Sequence, residues 1–416
     1  MSRIAVVGSG IAGMGAAWLL SRRHEVALFE AADYLGGHTH THDIELGQER
    51  HAVDTGFIVF NESNYPLLTR LFAELGVRSQ PTTMSFSVHD DASGLEYNAG
   101  TLAGLFAQPS NLLSPRFWRM IGDLRRFYRE APAVLGDPAL DCTLGQYLDR
   151  HRYSRVFRDD HIVPMASALW SSPSQRILEF PMSHLVRFMG NHHMLQLSGR
   201  PQWRVVRGGS RRYVDVLRGR WQVQERLSTP VRSLRRTADA GVMVDSAQGS
   251  ERFDQAVLAC HADDALGLLA DATDAERSIL GAITYQDNEA ILHTDVRVLP
   301  RRRRAWAAWN AHVPGQPGAA CSVSYWMNAL QSLCASEQFI VSLNRGADID
   351  PARILRHLHY RHPHQTLASV QAQARKREIQ GVDRVWFAGA GWGFGFHEDG
   401  LRSGVEVARA LGVEWR

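Results

Sequence analysis

The chain has 416 residues, a hydrophobic fraction of 44%, 21% charged residues and a formal net charge of +3, an ordinary composition for a globular protein with a core large enough for two or three domains. Its four cysteines, at 142, 260, 321 and 334, have neither metal-knuckle nor redox spacing, which excludes a secreted disulfide scaffold. No apolar run approaches membrane-spanning length once the first 20 residues are explained by another pattern.

That pattern opens the chain. Ile4-Ala5-Val6-Val7 predicts a buried strand, and Met14 to Leu20 predicts a helix. Between them stands Gly8-Ser9-Gly10-Ile11-Ala12-Gly13. Gly8 allows the tight turn, Gly10 lets backbone approach a pyrophosphate, and Gly13 lets helix and sheet pack closely. The helix N-terminus, at Ile11 and Ala12, then offers unpaired N–H groups to the phosphates. The next strand, His24 to Glu30, ends in an acid 22 residues after Gly8, where a carboxylate accepts hydrogen bonds from ribose hydroxyls. Residues 4–20 imitate a signal sequence, but the glycine spacing accounts for them better, so a cytoplasmic location is expected.

A glycine-rich loop follows, Gly36-Gly37-His38, then a turn at Asp54-Thr55-Gly56. Residues 102–200 carry helical patterns such as Phe117 to Tyr128. Gly208-Gly209 opens another helix, and Ser228 to Leu234 and Phe253 to Cys260 read as strands. Residues 281–345 alternate like an antiparallel sheet. The fold class is therefore α/β. A discontinuous Rossmann-like nucleotide-binding domain (1–80, 203–280 and 375–416) holds an inserted α+β substrate domain (81–202 and 281–374) with an antiparallel sheet and helices.

The glycine fingerprint, Glu30, Gly36-Gly37, Asp54-Thr55-Gly56 and Gly208-Gly209 resemble the FAD-binding set of the flavin amine oxidase, phytoene desaturase and protoporphyrinogen oxidase superfamily. Gly395 to Gly404 (Gly-Phe-His-Glu-Asp-Gly-Leu-Arg-Ser-Gly), Trp203-Arg204, Ala305 to Asn310 and Tyr325 to Asn328 are similar to the FAD oxidoreductases that accompany cyclopropane fatty acid synthases in bacteria and are fused to them in plants. The resemblance implies non-covalent FAD, with Gly37 and His38 near the phosphates and backbone of Val231 at adenine. It implies that the stretch from Gly389 through Phe396, His397, Asp399 and Gly400 to Leu401 wraps the ribityl chain and the flavin. Trp392, Phe394 and Phe396 would then form an apolar wall beside the ring, with His192, His193 and Glu398 as candidates for accepting or orienting a proton.

Two departures steer the substrate. Amine oxidases of this kind usually place a lysine near flavin N5, whereas the one lysine here, Lys376, falls in a helical run expected to be exposed. The aromatic cage usually includes a tyrosine, whereas the C-terminal aromatics here are Trp392, Phe394 and Phe396. The implied activity is desaturation of a lipid or fatty acyl chain by hydride transfer to flavin N5, in modified (cyclopropane- or furan-type) fatty acid metabolism. The alternatives are an amine or polyamine oxidase, and a non-catalytic flavoprotein partner of a lipid methyltransferase related to cyclopropane fatty acid synthase.

Histidine clusters at 38/40/42, 192/193 and 357–364 invite a metal, but no cysteine or acid completes any of them, so no metal site is expected. Arginine is dense from Arg200 to Arg236, at Arg301-Arg302-Arg303-Arg304, and among the aromatics of residues 116–129. No nucleic-acid motif accompanies these patches, so nucleic acid is not expected as a partner. They suit a peripheral protein on an anionic membrane face, with a solvated arginine-rich surface as the alternative.

Overall fold

The computed structural model describes residues 1–137, 142–170, 174–196, 198–316 and 321–416. At its centre five parallel strands lie in the order Val223–Arg226, Glu25–Phe29, Arg3–Val7, Gln255–Leu258 and Val385–Phe387. Ile4, Ala5 and Val6 of the middle strand are wholly buried, as a strand covered on both faces must be. On one face the helix Ile11–Leu20, buried along its whole length, packs against the C-terminal helix His397–Ala410. Gly404 permits that approach, since a Cβ there would lie 2.3 Å from the Ala12 carbonyl oxygen. On the other face lies an antiparallel sheet of Val231–Thr237, Gly241–Ser246 and Gly249–Phe253. Its Leu234, Val242, Val244 and Phe253 join Ala5 and Val7 in one core.

A second sheet has seven strands, in the order Ile354–Pro363, Tyr285–His293, Ile340–Leu343, Ser322–Trp326, Trp309–Val313, Phe86–Asp90 and Leu95–Asn98. The sequence predicts an antiparallel sheet within 281–345. The observed sheet is mixed and larger, because Phe86–Asp90 docks parallel to Trp309–Val313 and brings its hairpin partner with it. Helices between Leu102 and Asn191 enclose a third core, built around Phe127, Tyr147, Phe157, Phe180 and Phe188. Among the described residues no helix is long and apolar enough to cross a membrane.

Candidate active site

One cavity of about 1350 Å³ runs from the glycine turn of the parallel sheet to an aromatic wall in the helical layer. Ligand pockets for a single small molecule are smaller, about 300–1,000 Å³, so this one has room for a dinucleotide and a second molecule.

The glycine turn shows what each position does. Gly8 has φ +100, and a Cβ there would lie 2.8 Å from the Ala259 carbonyl oxygen. Gly13 is tighter, since its Cβ would lie 1.9 Å from the Gly8 carbonyl oxygen. Gly13 therefore serves helix–strand packing and lies behind the cavity wall, whereas Gly8, Gly10, Ile11 and Ala12 line it. Around Gly10 there is nothing within 4 Å of a Cβ position, so the space it faces is the cavity. The first N–H groups of the helix point there without intrahelical partners. Across the opening Gly37 would bring a Cβ within 3.2 Å of Gly10 Cα.

Glu30 lines the cavity, and its carboxylate also holds the turn. It accepts hydrogen bonds from Ser9 N (2.9 Å), Ser9 Oγ (2.5 Å) and Ala32 N (2.9 Å). Val231, Gly36, His38, Thr55, Gly56, Gly389, Phe396 and His397 also line it. The His397 ring stacks on Phe57 at 3.7 Å, with Nε2 3.0 Å from Thr39 Oγ1 and 3.1 Å from Tyr213 Oη. Burial pushes its pKa down to about 3, so the ring is neutral.

Several expected site residues lie elsewhere. Asp54 is a structural acid behind the wall. It accepts from Thr41 Oγ1 (2.5 Å), Ser210 N (2.9 Å), Ser210 Oγ (2.8 Å) and Gln331 Nε2 (3.0 Å), and burial pushes its pKa up to about 6. Gly400 and Leu401 sit at the helix–helix contact, where a Cβ on Gly400 would lie 2.7 Å from Ile11 Cγ2. Asp399 is buried below the wall, accepting from Phe394 N and Phe396 N, both 3.1 Å, and pairing with Arg402. Glu398, one residue earlier, turns away from the cavity. Its carboxylate caps the helix Pro66–Leu75, accepting from Leu67 N and Leu68 N at 3.0 Å. The cap consumes both oxygens, so Glu398 does not face a substrate.

Trp392 is also off the wall. It packs at the core beneath the antiparallel sheet, and Lys376 Nζ lies 5.6 Å from its ring. Lys376 is not the exposed residue expected, because its side chain is 16% exposed and pairs with Glu406 at 2.8 Å. His193 sits at φ +54 in a turn with Nδ1 3.1 Å from Gln196 Nε2, outside the lining. His192 does line the cavity, stacked on Phe188 at 3.9 Å. Its Nδ1 donates to the Phe188 carbonyl (2.9 Å), which leaves Nε2 as an acceptor. Burial pushes its pKa down to about 4, so the ring is neutral near pH 7.

The wall itself combines Phe394 and Phe396 with Met165, Leu169, Trp170 and Phe188. Phe188 stacks on Phe396 at 4.9 Å and meets Phe394 at 5.5 Å. The last four come from the helical layer and were not singled out from sequence. The four-residue spacings Met165/Leu169, in the helix Val163–Trp170, and Phe188/His192, ending at the C-cap of the helix Met182–Asn191, are the local signals that could have found them. The acids lining the cavity are Glu30, Asp263 and Asp264. The last two are bound to Arg361 and near His261, so among the described residues no carboxylate belongs to the aromatic part. Cys260 also lines the cavity, and burial pushes its thiol up to about 12.

The histidines read as clusters stay near one another, with the His40 and His42 rings 4.1 Å apart and His38 meeting His362 at 5.2 Å, but the ring nitrogens of His40 and His42 go to hydroxyl partners. His40 meets Tyr360 Oη at 3.1 Å and His42 meets Thr55 Oγ1 at 3.2 Å. A different group forms across the second sheet, where Asp91 accepts from His89 (2.9 Å) and His312 (2.7 Å).

The family model described as "Flavin containing amine oxidoreductase" matches residues 11–329. Solved structures with the same fold include cyclohexylamine oxidase from Brevibacterium oxydans IH-35A, at 17% identity and a TM-score of 0.70, covering 99% of this chain and 98% of that one. A CLA-producing fatty acid isomerase from P. acnes is similar at 14% identity and a TM-score of 0.68, with 99% of each chain covered. Putrescine oxidase bound to putrescine matches at 13% identity and a TM-score of 0.69, covering 99% of this chain and 98% of that one.

Proposed function

The chain belongs to the flavin containing amine oxidoreductase family and takes FAD as its cofactor, and on that footing we propose that it oxidises the acyl chain of a lipid, introducing a double bond. The glycine turn, the unpaired helix N-terminus at Ile11 and Ala12, and Glu30 fit the pyrophosphate and ribose of the dinucleotide. The first turn of the C-terminal helix, which carries His397, fits the ring end, where a helix N-terminus favours negative charge. When bound, FAD supplies a two-electron acceptor able to take a hydride at N5 from a C–H bond.

The single observation that carries the substrate class is the wall. Phe394, Phe396, Phe188, Trp170, Met165 and Leu169 make an apolar surface, and among the described residues no carboxylate stands beside it to hold an ammonium and no lysine lines the cavity. An acyl chain gains about 0.8 kcal/mol per CH₂ on entering such a surface, whereas an ammonium would exchange its hydration for aromatic faces and the His192 Nε2 without a counter-charge. In this reading the aromatic wall orients the chain and excludes water, and neutral His192 offers Nε2 as a hydrogen-bond acceptor at its edge. A second reading, oxidation of an amine, draws support from the likeness to cyclohexylamine and putrescine oxidases. Association with an anionic membrane surface, and with a methyltransferase acting on the same lipids, belongs to the first reading.

Anaerobic mixing tests the choice. Phospholipid or fatty acyl substrates should bleach the bound flavin while polyamines and simple amines leave it oxidised. Rapid bleaching by a polyamine with lipids inert would overturn the assignment in favour of the second reading.

A further inference from the structure

Among the described residues, four of the nine large apolar side chains that face solvent fall within residues 102–118. Leu102 is 78% exposed, Leu112 50%, Leu113 88% and Trp118 49%. They sit on the helix Leu102–Leu105, the 3-10 turn Pro109–Leu113 and the start of the helix Pro115–Glu130. The stretch is fixed from below. Buried Asn111 donates through Nδ2 to the carbonyls of Glu96 (3.2 Å) and Leu105 (3.5 Å). Trp118 Nε1 donates to Leu112 O (2.9 Å), and its ring packs on Phe106. Phe117 and Phe127 of the same helix point into the core, so the outward apolar side chains are separate from those that hold the fold.

Basic residues rim this face from two distant parts of the chain. Arg116 and Arg119 are exposed beside Trp118. The 3-10 turn Arg303–Ala305 packs against the helix Leu102–Leu105 and brings the arginine run with it. Arg302 is bound to Glu96, whereas Arg301, Arg303 and Arg304 are exposed, with no carboxylate within 4 Å among the described residues. The cavity reaches the surface here too. Ala99 and Gly100 both line it and are both exposed, two residues before the helix begins.

We propose that this face seats the protein on an anionic bilayer, with Leu112, Leu113 and Trp118 entering the acyl layer and the arginines at the headgroups. The mouth at Ala99 and Gly100 then opens where acyl chains lie. The occupant is a lipid surface because the apolar tips stand beside Arg301, Arg303 and Arg304, exposed cations without a carboxylate partner among the described residues, the pattern of an interfacial anchor. Docking stands on the exposed residues alone, while what enters the mouth rests on the lipid reading given above.

The test is sedimentation of the FAD-loaded protein with vesicles of phosphatidylcholine, and with vesicles in which about one third is phosphatidylglycerol. Binding is expected on the anionic vesicles and should weaken with salt. The double variant Leu112→Asp/Leu113→Asp should bind at least roughly ten-fold more weakly, and Arg303→Gln/Arg304→Gln should lose most of the preference for anionic lipid. Both variants should keep their flavin content and their flavin reduction by detergent-dispersed substrate. The proposal is overturned if the native protein ignores vesicles at low salt, or if the leucine variant binds as well as the native chain. It is also overturned if the leucine variant abolishes a concentration-dependent dimer instead. Vesicle binding with every lipid inert toward the flavin would retain the docking face and remove the lipid reading. Flavin reduction by dispersed lipid without vesicle binding would do the reverse.

Discussion

Gly10 and Gly13 sit three residues apart in one motif, and the structure makes opposite predictions for them. Gly10 has φ −61 and ψ 172, a conformation any residue adopts, and a Cβ there touches nothing within 4 Å. Gly10→Val should therefore leave the apoprotein's stability within about 0.5 kcal/mol of the native chain, as for other substitutions that meet no neighbour. Its side chain would fill the space that the pyrophosphate needs. Losing two charge-assisted hydrogen bonds from the helix N-terminus, at about 1.5–3 kcal/mol each, weakens FAD by roughly 10²–10⁴-fold. Gly13→Ala puts a methyl group 1.9 Å from the Gly8 carbonyl oxygen, and the helix must move away from its strand. That should cost about 3 kcal/mol or more, at the upper end of overpacking. Thermal unfolding of the two apoproteins, with FAD titration followed by flavin fluorescence, separates the cases. A Gly10→Val protein that binds FAD normally, or that unfolds like Gly13→Ala, would refute the reasoning.

Other consequences can be checked independently. Phe394→Ala should lower kcat/KM for an acyl substrate by about ten-fold or more through the lost wall contact, whereas Trp392→Ala should reduce stability and leave substrate kinetics near native. Equal kinetic effects of the two would place the wall wrongly. Glu398→Gln keeps one of two cap acceptors and should cost about 1–2 kcal/mol of stability without moving the pH profile of flavin reduction; a shifted profile would return Glu398 to the chemistry. Burial holds His161, His184, His192, His293 and His362 at about 4 and His397 at about 3, all below the ordinary 6.5. The unfolded chain binds these protons first, so stability present above pH 6.5 should be lost as pH falls toward 4, by about 1.4 kcal/mol per pH unit for each net proton. Asp54 and Asp160, raised from 3.8 to about 6, act in the opposite sense over part of that window but are fewer. Denaturant midpoints that rise on acidification from pH 7 to pH 5 would contradict this.

The nucleotide end was legible because its geometry is local. Gly13 is dictated by a contact within one strand–turn–helix, with the Gly8 carbonyl, and Gly8 and Gly10 by the turn and the space beside it, so a linear motif records them directly. Three of the five parallel strands followed for the same reason, since runs such as Ile4 to Val7 are apolar on both faces, whereas the short outer strands Val223–Arg226 and Val385–Phe387 were not read. The substrate end was not legible at the level of side chains. His397, Glu398 and Asp399 are consecutive, but each step around a helix turns the side chain by about 100°. One therefore faces the cavity, one caps a neighbouring helix and one supports the wall from behind. Trp392 failed similarly, because the 3-10 turn Ala390–Trp392 sends it out toward Lys376. Met165, Trp170 and Phe188 reach the cavity through the packing of helices that no short motif specifies. The rim of the exposed face, joined from residues 116–119 and 301–304, is likewise a product of tertiary contact.

The Asp399 carboxylate holds the backbone N–H groups of both Phe394 and Phe396. The loop is thereby anchored through main chain, and the identities of its two aromatic side chains are not what fixes its shape. Selection can then exchange residues 394 and 396 for larger, smaller or more polar ones while the loop keeps its course. A single buried acid thus makes the specificity of this chamber an adaptable trait, open to rapid divergence between paralogues and to deliberate redesign, on a cofactor scaffold that has little freedom to change.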